Sequence, residues 1–199
     1  MNLVDLNEEI RDRMAEEIAG DLKEQTPEFS TRLTTDGRIR FSELLLEAVS
    51  LHDDHWLANR LNQLGLIKRT ESRRKRSGGF SEVKVPHTAA TTLAQDVFNR
   101  YYVRALCKFA IENEIEEVEV YRAKRVTTPR SSSRSLIGRR FNAAELLDHV
   151  LNSGLNAIIP QGPNSGLSVR LVFSEPEPTD LTLDKNNSTT RKVNDVEQQ

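Results

Sequence analysis

The side chains best equipped for chemistry in this sequence are cations, gathered in two segments, Lys68–Arg76 and Arg122–Arg140. The first holds Lys68, Arg69, Arg73, Arg74, Lys75 and Arg76 against one acid, Glu71, for a local charge of +5. The second holds Arg122, Lys124, Arg125, Arg130, Arg134, Arg139 and Arg140 with no acid, for +7. Thr127, Thr128 and Ser131–Ser133 lie among those arginines. Guanidinium forks and hydroxyls both hydrogen-bond phosphate oxygens, so this chemistry suits a polyanion. No aromatic residue stands between Tyr121 and Phe141, which argues against bases stacking on the second segment. A competing reading is internal neutralisation. Residues 1–26 carry −5 and the tail from Glu175 carries −3, and either could pair with the basic segments within a chain or between subunits. The overall charge is only −2, so the distribution carries the information and the sum does not.

Other constellations point to structure. His52-Asp53-Asp54-His55 has metal-ligand residue types. Four consecutive residues at a helix start diverge in direction, however, and a helix cap is expected there. Ser131–Ser133 lacks the Gly-x-Ser-x-Gly setting of an activated nucleophile. Gly162-Pro163-Asn164-Ser165-Gly166 lacks the lysine and spacing of a phosphate-binding loop and reads as a turn. Glu112, Glu114, Glu116, Glu117 and Glu119 read as a solvated face. No catalytic residue, metal ligand or cofactor is assigned, and a non-enzymatic protein is expected. Cys107 is the only cysteine and sits in an apolar helical pattern, the setting of a buried reduced thiol.

The elements that position these residues follow from periodicity. Residues 2–24 place Leu3, Leu6, Ile10, Met14, Ile18 and Leu22 on one face, predicting an acidic amphipathic helix. Residues 25–36 read as a loop, with Asp36-Gly37 as its turn signal. Short helices are predicted over Phe41–Val49, capped by Ser42, and over Trp56–Leu64, ended by Gly65. Strands are predicted at Leu66–Arg69, Phe80–Val85, Val118–Tyr121 and Leu167–Phe173. A long, central apolar helix is expected over His87–Asn113 and another helix over Asn142–Leu151. Residues 175–199 are polar with two nearby prolines and are expected to be disordered, or ordered only on a partner.

The order within residues 41–85 is helix, short turn, helix, strand, basic loop, strand. It resembles a winged helix-turn-helix DNA-binding domain. That resemblance implies that Asp54–Leu64 is the recognition helix, offering Asn59, Arg60, Asn62 and Gln63 to base edges. Leu66–Arg69 and Phe80–Val85 would be the wing strands, with Arg73–Arg76 at the wing tip. Asp53 and Asp54 depart from such a helix, because carboxylates at its entry repel phosphate.

The expected fold class is α+β: an N-terminal amphipathic helix (1–26), a winged-helix-like segment (38–86) and a small α/β layer built on a central helix (87–174), followed by the tail. At 37% hydrophobic residues a core is available, and no run approaches the ~20 apolar residues of a membrane span. The start lacks a signal-peptide pattern, so a cytoplasmic protein without a membrane partner is expected. Two functions remain open at this level. One is a nucleic-acid-binding protein that contacts phosphates through both basic segments. The other is a structural or adaptor subunit of a multi-protein assembly, such as a phage-type particle or a defence complex, with the charged surfaces and tail as subunit contacts and with protein partners or self-association.

Overall fold

The longest apolar-rich segment forms the axis of the fold in the computed structural model, which describes residues 1–24, 29–160 and 165–173. In chain order the elements are α1 (Glu8–Lys23), α2 (Thr35–Leu51), α3 (Asp54–Gln63), β1 (Thr70–Arg74), β2 (Phe80–Lys84), α4 (Ala89–Glu112), β3 (Glu117–Arg122), the single turn α5 (Ser131–Arg134), β4 (Arg140–Asn142), α6 (Ala143–Ser153) and β5 (Leu167–Leu171). The chain is α+β, with helices around one antiparallel sheet and one separate two-stranded ribbon. The tail 175–199 and the middle of the 160–166 loop lie outside the described residues. Among the described residues no helix is long and apolar enough to cross a membrane.

α4 is buried nearly all round, as a central helix must be. α1, α3 and α6 pack on its sides, and β3 and β5 lie across it. The sheet runs β4-β3-β5, with Val120 opposite Val169 and Val118 opposite Phe141. Alternation turns Val118, Val120, Leu167 and Val169 to the core. It leaves a charged ladder on the other face, where Arg170 meets Glu119 at 2.5 Å and Arg140 meets Glu117 at 3.2 Å. Asn99, fully buried on α4, donates to the Leu167 carbonyl at 3.0 Å and accepts from the Ser168 hydroxyl at 2.6 Å. Its amide thus carries hydrogen bonds at both ends, as a buried polar group requires. Cys107 lies in the same core, and burial pushes its thiol pKa up to about 12, so it stays protonated.

α1 docks antiparallel to α4 through a cluster of charges. Arg104 bonds Glu17 through Nε at 2.7 Å and Asp21 through NH1 at 2.7 Å, and the Tyr101 hydroxyl donates to Asp21 at 2.9 Å. Lys108 also pairs with Glu17, and Arg13 reaches Glu112 at 2.6 Å. Burial alone would raise the Asp21 carboxyl. The hydrogen bonds from Arg104 and Tyr101, with the charges of Arg104 and Arg100, outweigh it and hold Asp21 below its ordinary value.

Several predicted boundaries move. The N-terminal helix begins at Glu8 and not at residue 2, because the Asn7 side chain caps it by accepting from Ile10 N at 2.9 Å. Residues before Asn7 run over the sheet instead, with Asn2 N bonded to the Ala123 carbonyl and Asp5 accepting from Leu171 N. α2 begins six residues earlier than Phe41. Thr34, not Ser42, is its cap, and Asp36-Gly37 is helix rather than turn. Gly37 is required there for space: a Cβ would stand 2.5 Å from the Leu66 carbonyl oxygen. The strand expected at Leu66–Arg69 is a single bridge, Ile67 to Leu33, and the real strand starts at Thr70. Short β4 and α5 have no periodic signal, being too brief to show one.

Two glycines should respond oppositely to alanine. Gly20→Ala, at an exposed helical site with nothing within 4 Å of the new methyl, should stabilise by about 0.5–1 kcal/mol. Gly37→Ala should destabilise by about 1–3 kcal/mol. Urea unfolding of both variants decides, and equal effects would contradict the packing described.

Asp21 sets a pH dependence. Its folded pKa lies below its unfolded one, so its contribution is complete above the ordinary carboxylate range and is lost as pH falls through the lowered value. The Tm difference between the parent and Asp21→Asn should be constant above about pH 5 and shrink below about pH 4. A difference independent of pH would refute the charged role of Asp21.

Candidate nucleic-acid interface

β1 and β2 form a ribbon that packs chiefly on itself. Thr70 pairs with Lys84, Ser72 with Glu82 and Arg74 with Phe80, and all six side chains share one exposed face. The alternate face carries Glu71, Arg73, Ser81 and Val83 and is partly covered. At the tip, Gly78 N bonds the Lys75 carbonyl at 3.2 Å and Lys75 N bonds the Gly79 carbonyl at 2.9 Å. This is a three-residue hairpin loop whose last position is left-handed, and Gly78, at φ 90°, supplies it. Arg73 and Arg74 thus stand in the strand on opposite faces, while Lys75 and Arg76 occupy the turn. The sequence pattern puts all four at the tip; the ribbon begins later, at Thr70, because Ile67 is used in the bridge to Leu33.

The base of the ribbon is anchored. Arg32 grips Glu71 with two hydrogen bonds, 2.6 and 2.9 Å. These bonds, and the charges of Arg32 and Arg73, hold the Glu71 carboxyl below its ordinary value. Lys68 donates its ammonium to the Thr31 carbonyl at 2.8 Å, so it serves the anchor more than the surface. Arg69, Arg73, Arg74, Lys75 and Arg76 are exposed. Arg32 has no part in the sequence-based site, because no periodic pattern marks it.

α3 presents Asn59, Asn62 and Gln63 to solvent. Arg60 is half-buried, its guanidinium 5.6 Å from the Trp56 ring centre, so it belongs more to the helix packing than to that face. The two entry carboxylates take structural roles. Asp53 caps α3 by accepting from Trp56 N at 2.8 Å, and Asp54 is buried and paired with the amino group of Met1. His52 stacks on Trp56, with ring centres 4.3 Å apart.

The second basic segment divides in two. Arg122 donates to the Ser165 carbonyl at 2.7 Å, Lys124 to the Gln95 side chain at 2.7 Å, and Arg140 lies on the charged ladder of the sheet. Arg122 and Lys124 tie the segment to the body, and Arg140 is exposed within its ion pairs. Arg125, Arg130 and Arg134 are exposed, and Arg139, also exposed, lies over the Phe141 ring at 5.4 Å. Ser133 is buried, within 3.5 Å of the Ser165 hydroxyl, while Ser131 and Ser132 face out. Gly166 lets the loop approach the strand end: a Cβ there would meet the Lys124 carbonyl oxygen at 2.8 Å.

Topology brings the ribbon and the start of the second segment to one end of α4, while Arg139 and Arg140 lie back along β3 towards its other end. The ribbon feeds into that helix at Ala89, and Lys124 is tied to Gln95 in its second turn. Two acids of α1, Glu17 and Asp21, are engaged further along, by Arg104 and Lys108. Among the described residues, none of the ion pairs joins α1 to either basic segment. Within one chain the competing pairing with the N-terminal helix is thus not formed among the described residues, and the polar tail lies outside them.

If the Arg32–Glu71 grip orients the ribbon, Glu71→Gln should lower the heteronuclear NOE of residues 70–84 and leave α4 unchanged. A ribbon as rigid as the parent's would show that the backbone bridge alone holds it. Comparison of the chain with protein families, with curated proteins and with solved structures finds no match.

Proposed function

We propose that this protein is a non-enzymatic nucleic-acid binder, holding phosphates with the β1–β2 ribbon and with the exposed arginines of residues 125–139. The observation that carries this reading is a self-contained ribbon with five exposed cations, none of which is joined to α1 by an ion pair among the described residues. Surface cations that form no ion pair among the described residues match the electrostatic footprint of a polyanion site. The helix-turn-helix order adds support. α2 and α3 are separated by His52 and Asp53 alone, α3 turns its Asn59, Asn62 and Gln63 outward, and the ribbon comes after it in the chain. Amide side chains of this kind pair with base edges in a major groove, and an adjoining basic wing fixes the register on the backbone.

The test is fluorescence anisotropy on a random-sequence duplex over a range of salt concentrations. Neutralising about six phosphates gives a slope of log K against log salt near −5. Replacing Arg73, Arg74, Lys75 and Arg76 with alanine should reduce that slope in magnitude by about three to four. Absence of binding at low salt rules the proposal out, and an unchanged slope in the variant moves the contact away from the ribbon.

A further inference from the structure

Phe80 is the one large apolar side chain on the exposed face of the ribbon. It is 69% exposed and stands directly across from Arg74. Its face-mates are Thr70, Ser72, Glu82 and Lys84, so it belongs to no apolar patch that a protein surface would cover. Gly79 precedes it, and Lys75 and Arg76 lie in the adjoining turn. The site is therefore a lone aromatic ring with Arg74, Lys75 and Arg76 on its tip side and one acid, Glu82, on the other. A nucleic acid complements both features, because its backbone is anionic and its bases have flat apolar faces. Phenylalanine is one of the side chains that groove-binding proteins drive between base steps, beside arginines and lysines that hold the flanking phosphates.

Resting on the nucleic-acid reading above, we propose that Phe80 is a wedge that enters a base step of duplex DNA from the minor groove while Arg74, Lys75 and Arg76 clamp the phosphates on either side. The occupant is a duplex, because α3, which precedes the ribbon in the chain, presents outward amides whose chemistry matches paired base edges. The ring lies outside the core, so its replacement leaves the fold intact.

The experiment compares the full chain with Phe80→Ala, Phe80→Trp and Arg74→Ala on three probes: a random-sequence duplex, the corresponding single strand, and vesicles of phosphatidylcholine with phosphatidylglycerol. Phe80→Ala should weaken duplex binding about tenfold with an unchanged salt slope, because no charge is removed. Phe80→Trp should retain affinity, and its added fluorescence should be quenched on the duplex. Arg74→Ala should instead lower the magnitude of the slope by about one. Equal duplex affinity of Phe80→Ala and the parent would overturn the wedge and leave the nucleic-acid reading standing. A loss confined to the single strand, or to the vesicles, would overturn it in favour of base stacking or lipid contact. A parent that binds no duplex at low salt removes both readings together.

Discussion

Everything in this fold answers to the burial of α4. A helix of 24 residues with an almost continuous apolar surface has to be enclosed. Three helices and a sheet do the enclosing, but α4 also carries Arg104 and Lys108 on the side that α1 covers. Charges taken toward the interior are tolerated only when paired and hydrogen-bonded. Glu17 and Asp21 meet that demand, and the Tyr101 hydroxyl completes it. Two acids of the first helix are thus taken up by the core, while Glu8, Glu9, Asp12 and Glu16 stay exposed. Electrostatic polarity results in a chain of almost zero net charge: the acids of α1 that pair with α4 face inward, and the cations of the ribbon stand at the surface.

The same helix decides where the cations gather. Because the ribbon enters α4 at its start and β3 returns antiparallel toward that start, the ribbon, Arg122 and Lys124 lie at one pole, while Arg139 and Arg140 pair back towards the other. Neither is an appendage of unrelated origin. One is held by Arg32 on Glu71, the other by Arg122 and Lys124 on the loop before β5 and on α4. In each segment some cations are spent as fasteners, and the remainder are presented.

Much of this is legible in the sequence, for reasons particular to each element. The periodic apolar runs mark α3, α4 and α6 to within a turn, and the body of α1, since burial on one face imposes spacing. The alternation Phe80–Val85 marks β2 because one face of the ribbon is partly covered. Helix starts mislead where a cap lies elsewhere: Asn7 and Thr34 compete with residues that look equally suitable, and only the geometry chooses. Asp36-Gly37 signals a turn, yet that glycine is there to let Leu66 come close, a long-range demand that no local pattern records. The candidate site is half legible. Charge runs are visible in a sequence, but which arginines are tethered depends on partners far away in the chain, such as Gln95 and Ser165.

The ribbon's hydrogen-bond ladder closes on itself, and among the described residues its foot is attached to the body through the Leu33–Ile67 bridge and Arg32. Such a limb can change length without any repacking of the core. Adding matched pairs of residues to both strands would lengthen the reach by about 3.3 Å per residue and return each side chain to its original face. Adding one residue to each strand would flip Phe80 and Arg74 to the side facing the body. The limb therefore varies in steps of two, so that related chains could differ in reach while sharing one scaffold and one orientation of the tip.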